Sequence, residues 1–170
     1  MSNSLVIIPT YNEKENVVKM LETVMALTPT FDVLIVDDGS PDGTSTLVKS
    51  VALKFDGRIN ILEREGKQGL GTAYIAGFKW ALEKDYDYIF EMDCDFSHDP
   101  NDLIRLKEAC IAGADVAVGS RNVKGGGVEN WPLGRRLISR GASLYVNFVL
   151  WLGVSDSTAG FVAYKKEVLK

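Results

Sequence analysis

Two aspartates one residue apart, Asp93 and Asp95, stand where an apolar stretch from Tyr86 to Met92 gives out and Pro100 opens the next helix. Carboxylates released at a strand's exit lie where open α/β sheets collect their ligands. Hard divalent cations accept oxygen from one or two such groups and keep other positions for water and phosphate. The spacing therefore predicts a Mg²⁺ or Mn²⁺ site set against a ligand's phosphates. The competing reading makes both residues turn formers, and Asp99 is read simply as the N-cap of the following helix. Other acids recur at equivalent places. Glu13 follows the apolar run Leu5 to Pro9, and Asp37 and Asp38 follow Asp32 to Val36. If the sheet order brings the first, second and fourth strands together, these carboxylates share one cleft. Clustered anions are costly without positive charge or hydrogen-bond donors, and a nucleotide with its metal supplies both. Asp42, in Asp42-Gly43-Thr44, reads as turn and cap chemistry instead.

Opposite charge gathers elsewhere. Between Arg121 and Arg140 five basic residues (Arg121, Lys124, Arg135, Arg136, Arg140) face one acid, Glu129, in a chain of net charge −4. That asymmetry predicts an anionic partner for the segment. Arg121 follows the fifth apolar run directly, on the rim expected for the acids, and Arg136 and Arg140 share a helix face. Guanidinium groups beside a metal-nucleotide site suit a second phosphate, which they bind bidentately.

Other motifs are excluded by order. Gly66 to Gly71 lacks the Gly-x-x-x-x-Gly-Lys-Ser/Thr sequence of a phosphate loop, and the three-glycine dinucleotide fingerprint is absent after the first strand. Gly69 and Gly71 fit a close loop-to-helix entry. His98 is the single histidine and no serine elbow accompanies it, so it is read as structural.

The elements that position these residues alternate. Strands are expected at Leu5 to Pro9, Asp32 to Val36, Ile59 to Leu62, Tyr86 to Met92 and Asp115 to Gly119. Asn12, with Glu15 three residues on, is expected to cap the first helix, whose stripe is Val17, Leu21, Val24 and Leu27. The second helix carries Leu47, Val48, Val51 and Phe55, and the third runs through Trp80 and Leu82. Five alternations predict a mostly parallel, Rossmann-like sheet with right-handed crossovers and helices on both faces. Beyond Arg121 the pattern gives a glycine-rich loop, Gly125 to Gly127, a helix from about Leu133 to Leu152 whose all-round apolar surface is read as core in preference to one side meeting lipid, and a further strand from Ala159 to Tyr164. Lys165 to Lys170 starts a helix without room to finish it, so the expectation is one domain over residues 1–170, incomplete at its C-terminus.

With 170 residues, 46% hydrophobic and 25% charged, the chain is sized for one globular core. The mild net charge argues against nucleic acid. Cys94 and Cys110 have neither metal-site nor disulfide-framework spacing and read as reduced cytosolic thiols. No signal peptide and no membrane-length apolar run is evident.

Taken together, several motifs closely resemble the catalytic domain of dolichyl-phosphate mannosyltransferases, within the inverting family 2 glycosyltransferases of GT-A fold. They are Ile8-Pro9-Thr10-Tyr11-Asn12-Glu13, Asp37-Asp38-Gly39-Ser40-Pro41-Asp42-Gly43-Thr44, Gly69-Leu70-Gly71-Thr72-Ala73-Tyr74, Met92-Asp93-Cys94-Asp95-Phe96-Ser97-His98, Gly119-Ser120-Arg121 and the segment Arg136 to Ala142. The resemblance implies that Pro9, Tyr11, Glu13, Val36 and Asp38 hold the nucleoside. Asp93, Cys94 and Asp95 would hold the diphosphate and a Mg²⁺ or Mn²⁺ ion, with Ser97 near the metal. Arg121, with Arg136, Ser139 or Arg140, would clamp the phosphate of a polyprenyl lipid acceptor. It further implies transfer of a hexose, mannose from GDP-mannose being favoured over UDP-sugars, at the cytoplasmic face of a membrane; Asp95 and Arg121 would be the catalytic pair. Two other readings compete: a strand-end aspartyl phosphohydrolase with Asp93 as nucleophile and Asp95 as acid, and a receiver-type signalling domain with Asp37 and Asp38 as its acid pocket. Neither explains Tyr11-Asn12-Glu13 or the arginine segment.

Overall fold

The computed structural model describes residues 2–120 and 159–170. The elements run β1 (Ser4–Thr10), α1 (Val17–Met25), β2 (Asp32–Asp37), α2 (Thr44–Ala52), β3 (Ile59–Glu63), α3 (Leu70–Leu82), β4 (Tyr88–Glu91), α4 (Asp102–Ile111), β5 (Val116–Val118) and β6 (Val162–Lys165), with a 3₁₀ turn at Lys166–Leu169. One six-stranded sheet has the order β3-β2-β1-β4-β6-β5. β1 to β4 are mutually parallel, as the alternating pattern predicts. β6 is antiparallel to both β4 and β5, so the later strand of the chain is inserted between two earlier ones. The half-Rossmann order 3-2-1-4 differs from the 2-1-3-4-5 order of receiver-type domains, which removes that reading.

Parallel strands covered on both faces read as unbroken apolar runs, and alternate residues serve opposite layers. In β1, Val6 and Ile8 join Val17, Met20, Leu21 and Val24 of α1, Val48 of α2 and Leu103 of α4 on one face. Leu5 and Ile7 pack on the other with Ala73, Tyr74 and Ala81 of α3. Helices therefore cover both faces, as expected.

Local boundaries differ in two places. α1 begins at Val17 behind Asn16, and Asn12 sits in left-handed backbone at φ 62° instead of capping. The cause is a tie between loops: Asn12 N–H donates to Ser40 Oγ, Glu13 N–H to Thr44 Oγ1 and Lys14 N–H to Asp42 Oδ2, which holds the chain beyond β1 against its neighbour before it can coil. Asp42 also accepts from Thr44 N–H and Oγ1, the turn chemistry expected of it. Asp99 is not the N-cap of α4; that place belongs to Asn101, whose N–H and amide both donate to Asp99 Oδ1 in a turn one step earlier. The glycine-rich loop expected at 125–127 and the helix expected over 133–152 lie outside the described residues.

Gly77 sets how closely α3 approaches the sheet, since a Cβ there would stand 2.6 Å from Ile7 Cγ2. Ile7 is wholly buried in β1 and has no free space to yield. Gly77→Ala is expected to destabilise the fold by about 1–3 kcal/mol through overpacking, read as a lower denaturant midpoint at unchanged m-value.

Candidate functional site

The register aligns the carboxyl ends of the central strands. Thr10 pairs with Asp37, Pro9 with Val36, and Ile7 with Glu91, after which Met92 N–H donates to Ile7 O. The loops that leave these strands therefore emerge on one edge. There a cleft of about 280 Å³ is lined by Pro9, Thr10, Tyr11 and Glu13 from β1 and its exit, Asp38 from the exit of β2, Asp93, Cys94 and Asp95 from that of β4, and Lys67, Gly69, Leu70 and Ala73 from the entry to α3. Its size is near the lower end of small-ligand pockets. Four carboxylates spaced widely along the chain meet as the strand-end pattern requires.

Each is held differently. Asp37, fully buried, accepts from Thr10 Oγ1 at 2.8 Å and from Ser40 N–H and Oγ, so it staples β1 to the β2 exit and does not face the cleft. Asp38 Oδ2 accepts the Gln68 and Gly69 backbone N–H groups, folding the 66–69 loop over it. Its Oδ1 lies 3.1 Å from Arg64 Nη1 in a buried ion pair that is not aligned as a hydrogen bond. Among the described residues that buried oxygen has no aligned hydrogen-bond donor, and the Arg64 charge beside it compensates its burial. Glu13 Oε2 receives the Asn16 amide at 2.9 Å.

Asp93 is half-buried and accepts the Tyr74 hydroxyl at 3.1 Å. Burial pushes its pKa up first; the Tyr74 hydrogen bond and His98 oppose this, while the neighbouring Asp95 charge adds to it. Asp95 is exposed and its Oδ1 accepts the Ser97 N–H. The pair thus presents one sequestered and one open carboxylate with mutual repulsion. This donor set fits Mg²⁺ or Mn²⁺: oxygen ligands, two at most from protein, with room for water and phosphate. Among the described residues no group of three or more His, Cys, Asp and Glu forms a closed cage of the kind structural zinc needs. Cys94 is buried, and that burial, followed by Glu13 and Asp95, pushes its thiol up to about 12. It therefore stays protonated and is no nucleophile.

Not every sequence-predicted residue arrives. Val36 is wholly buried in the layer under α3 and does not line the cleft; it is the core residue that pairs with Pro9. Ser97 is exposed and outside the lining, and its described contact is a backbone bond to Asp95. His98 stacks on Phe161, ring centroids 5.0 Å apart, in keeping with a structural role. Arg121, Arg136, Ser139 and Arg140 lie outside the described residues. β5 nevertheless runs in the direction of β4, being antiparallel to the β6 that separates them, so the chain leaves Val118 on the cleft's edge. With strands about 4.8 Å apart, that exit is roughly 10 Å from the end of β4.

Sequence reasoning missed Lys67 and Tyr74. Lys67 Nζ stands 4.5 Å over the Tyr11 ring, a cation–π contact across the cleft mouth. The signal is present as the one cation in the glycine-rich 66–71 run, but a loop that fails the phosphate-binding motif draws no attention to its lysine.

Comparison with known proteins agrees with this geometry. Polyprenol monophosphomannose synthase of Mycolicibacterium smegmatis is 49% identical over 98% of this chain and 63% of its own length. Undecaprenyl-phosphate mannosyltransferase of Micrococcus luteus is 48% identical over 98% of this chain and 68% of its own. For the dolichol-phosphate mannosyltransferase of Pyrococcus furiosus the identity is 40%, over 97% of this chain and 47% of its own. The chain thus spans about half to two thirds of the length of these relatives. Among solved structures, the mannosyltransferase PcManGT from Pyrobaculum calidifontis, in complex with GDP-Man and Mn²⁺, superposes with TM-score 0.63 at 16% identity, over 98% of this chain and 45% of its own. Glucosyl-3-phosphoglycerate synthase from Mycobacterium tuberculosis, bound to Mn²⁺, UDP and phosphoglyceric acid, gives 0.70 at 17%, over 97% and 56%. These two likenesses establish the GT-A fold. A family model described as Glycosyl transferase family 2 matches residues 5–170, and the chain belongs to that family.

Proposed function

We propose that the protein transfers a hexosyl group with inversion from a nucleoside-diphosphate sugar, GDP-mannose being favoured, to the monophosphate of a polyprenyl lipid at the cytoplasmic surface of a membrane. The observation that carries this reading is the convergence of Glu13, Asp38, Asp93 and Asp95 from three strand exits in one cleft. The choice of mannose and of a polyprenyl phosphate is supported by the relatives named for both. A UDP-sugar is the alternative donor. No helix among the described residues is long and apolar enough to cross a membrane, and a peripheral enzyme meets a lipid-borne phosphate at the surface.

The chain's residues divide the work. Tyr11 offers a ring face for the nucleoside, beside Pro9, Glu13 and Asp38 in the cleft lining. Asp93 and Asp95 would hold a divalent cation, which neutralises charge developing on the leaving diphosphate when bound. A phosphate oxygen of the acceptor forms the new bond to the anomeric carbon while the bond from that carbon to the diphosphate oxygen breaks on the opposite face. Because a phosphate monoester has a second pKa of about 6, the nucleophile arrives largely ionised and no side chain has to remove a proton. The protein's task is to place two anions together, so Arg121, aided by Arg136, Ser139 or Arg140, would neutralise the acceptor. The phosphohydrolase reading needs Asp93 free to attack, whereas its carboxylate is committed to the Tyr74 hydroxyl and half-buried.

Calorimetric titration with Mn²⁺ present should show GDP-mannose binding more tightly than UDP-sugars, and Asp95→Ala should weaken it by about tenfold or more; equal affinity in the variant removes Asp95 from the metal. Arg121→Ala should lower turnover about 100-fold or more while donor affinity stays put. A parallel loss of donor affinity would count against an acceptor role.

A further inference from the structure

Tyr74 closes a motif, Gly69 to Tyr74, whose glycines serve the entry to α3 but whose tyrosine has no part in the transfer step itself. Its side chain is almost wholly buried, on the α3 face of the sheet, yet its hydroxyl donates at 3.1 Å to Oδ1 of Asp93, which lines the cleft. Three features fix it there. Gly77, one turn on, lets α3 sit against Ile7 closely enough for the hydroxyl to reach the end of β4. Phe78 stacks on the Tyr74 ring, centroids 6.4 Å apart, and Tyr164 of β6 packs edge-on against Phe78 at 5.5 Å. The other carboxylate oxygen lies near Gly160, where an added Cβ would stand 3.0 Å from Asp93 Oδ2 and press on it.

We infer that Tyr74 is a positioning residue for metal binding: its hydroxyl holds Oδ1 of Asp93 and so orients that carboxylate toward Asp95 and a divalent cation. The inference rests on reading Asp93 and Asp95 as the metal pair. Toward the Asp93 carboxylate, which has no proton to give, the Tyr74 hydroxyl is the donor. A carboxylate ligand oriented by a hydrogen bond binds metal without first losing its rotational freedom, and removing such a partner typically weakens metal affinity by about 10–100-fold. Tyr74→Phe keeps the ring and its stack while deleting the hydrogen bond.

The test is Mn²⁺ titration of the chain in the presence of GDP, followed by the electron paramagnetic resonance signal of free Mn²⁺, with metal-free melting temperature measured alongside. Tyr74→Phe should raise the Mn²⁺ half-saturation about tenfold, and Gly160→Ala, which pushes on the other oxygen, should raise it as well. A merely structural tyrosine would lower the metal-free melting temperature and leave the half-saturation of the folded protein unmoved, and that result overturns the inference. Should Tyr74→Phe fail to fold, Gly160→Ala decides, unchanged half-saturation again being the contrary result. Absence of Mn²⁺ binding by the parent chain would overturn the metal-pair reading itself and the inference with it, whereas parent binding with unaffected variants sinks the inference alone.

Discussion

Carboxylates brought together repel, and a fold that delivers Glu13, Asp38, Asp93 and Asp95 to one edge of a sheet must answer that repulsion residue by residue. Asp38 is answered by Arg64 and two backbone N–H groups, Glu13 by the Asn16 amide, and Asp37 is withdrawn altogether into bonds with Thr10 and Ser40. At Asp93 and Asp95 the answer among the described residues is the Tyr74 hydroxyl, the Ser97 N–H and the nearby His98. A divalent cation bound there would meet the remaining repulsion, which is what the proposed metal-nucleotide site supplies.

The two layers around the sheet contribute differently. α1, α2 and α4 pack the face built on Val6, Ile8, Val33 and Ile35 and mainly stabilise it. On the opposite face α3 brings functional groups, its entry supplying Lys67, Gly69 and Leu70 to the cleft and its second turn the Tyr74 hydroxyl that bonds Asp93. The close approach at Gly77 couples that layer's packing to the geometry at the end of β4.

Much of this is legible in the sequence, for identifiable reasons. Continuous apolar runs ending in acids, such as Leu5 to Pro9 before Glu13, mark strands buried on both faces and place their exits without any contact information. The parallel order of β1 to β4 follows from alternation with helices. What periodicity does not encode is pairing across long separations: that β6 enters between β4 and β5, or that Asn12 is diverted from capping by Ser40, depends on partners about 28 to 77 residues away. Val36 shows the converse limit. It lies next to Asp37 and Asp38 in sequence and resemblance assigns it to the nucleoside, but strand alternation turns it into the core. Tyr74 is hidden for a similar reason, since an aromatic at helical spacing reads as core and its hydroxyl's reach depends on Gly77.

The exits of β1, β2 and β4 together form, on this account, one site for a divalent cation and a nucleoside diphosphate. Paramagnetic broadening of backbone amide resonances by Mn²⁺ with GDP tests it most directly, because the effect falls steeply with distance from the ion. Broadening should be strongest at Cys94 to Ser97, extend to Glu13 and Gly69, and spare α2. Broadening centred elsewhere on the molecule, or lost from Glu13 and Gly69 while retained near Asp95, would contradict a shared site.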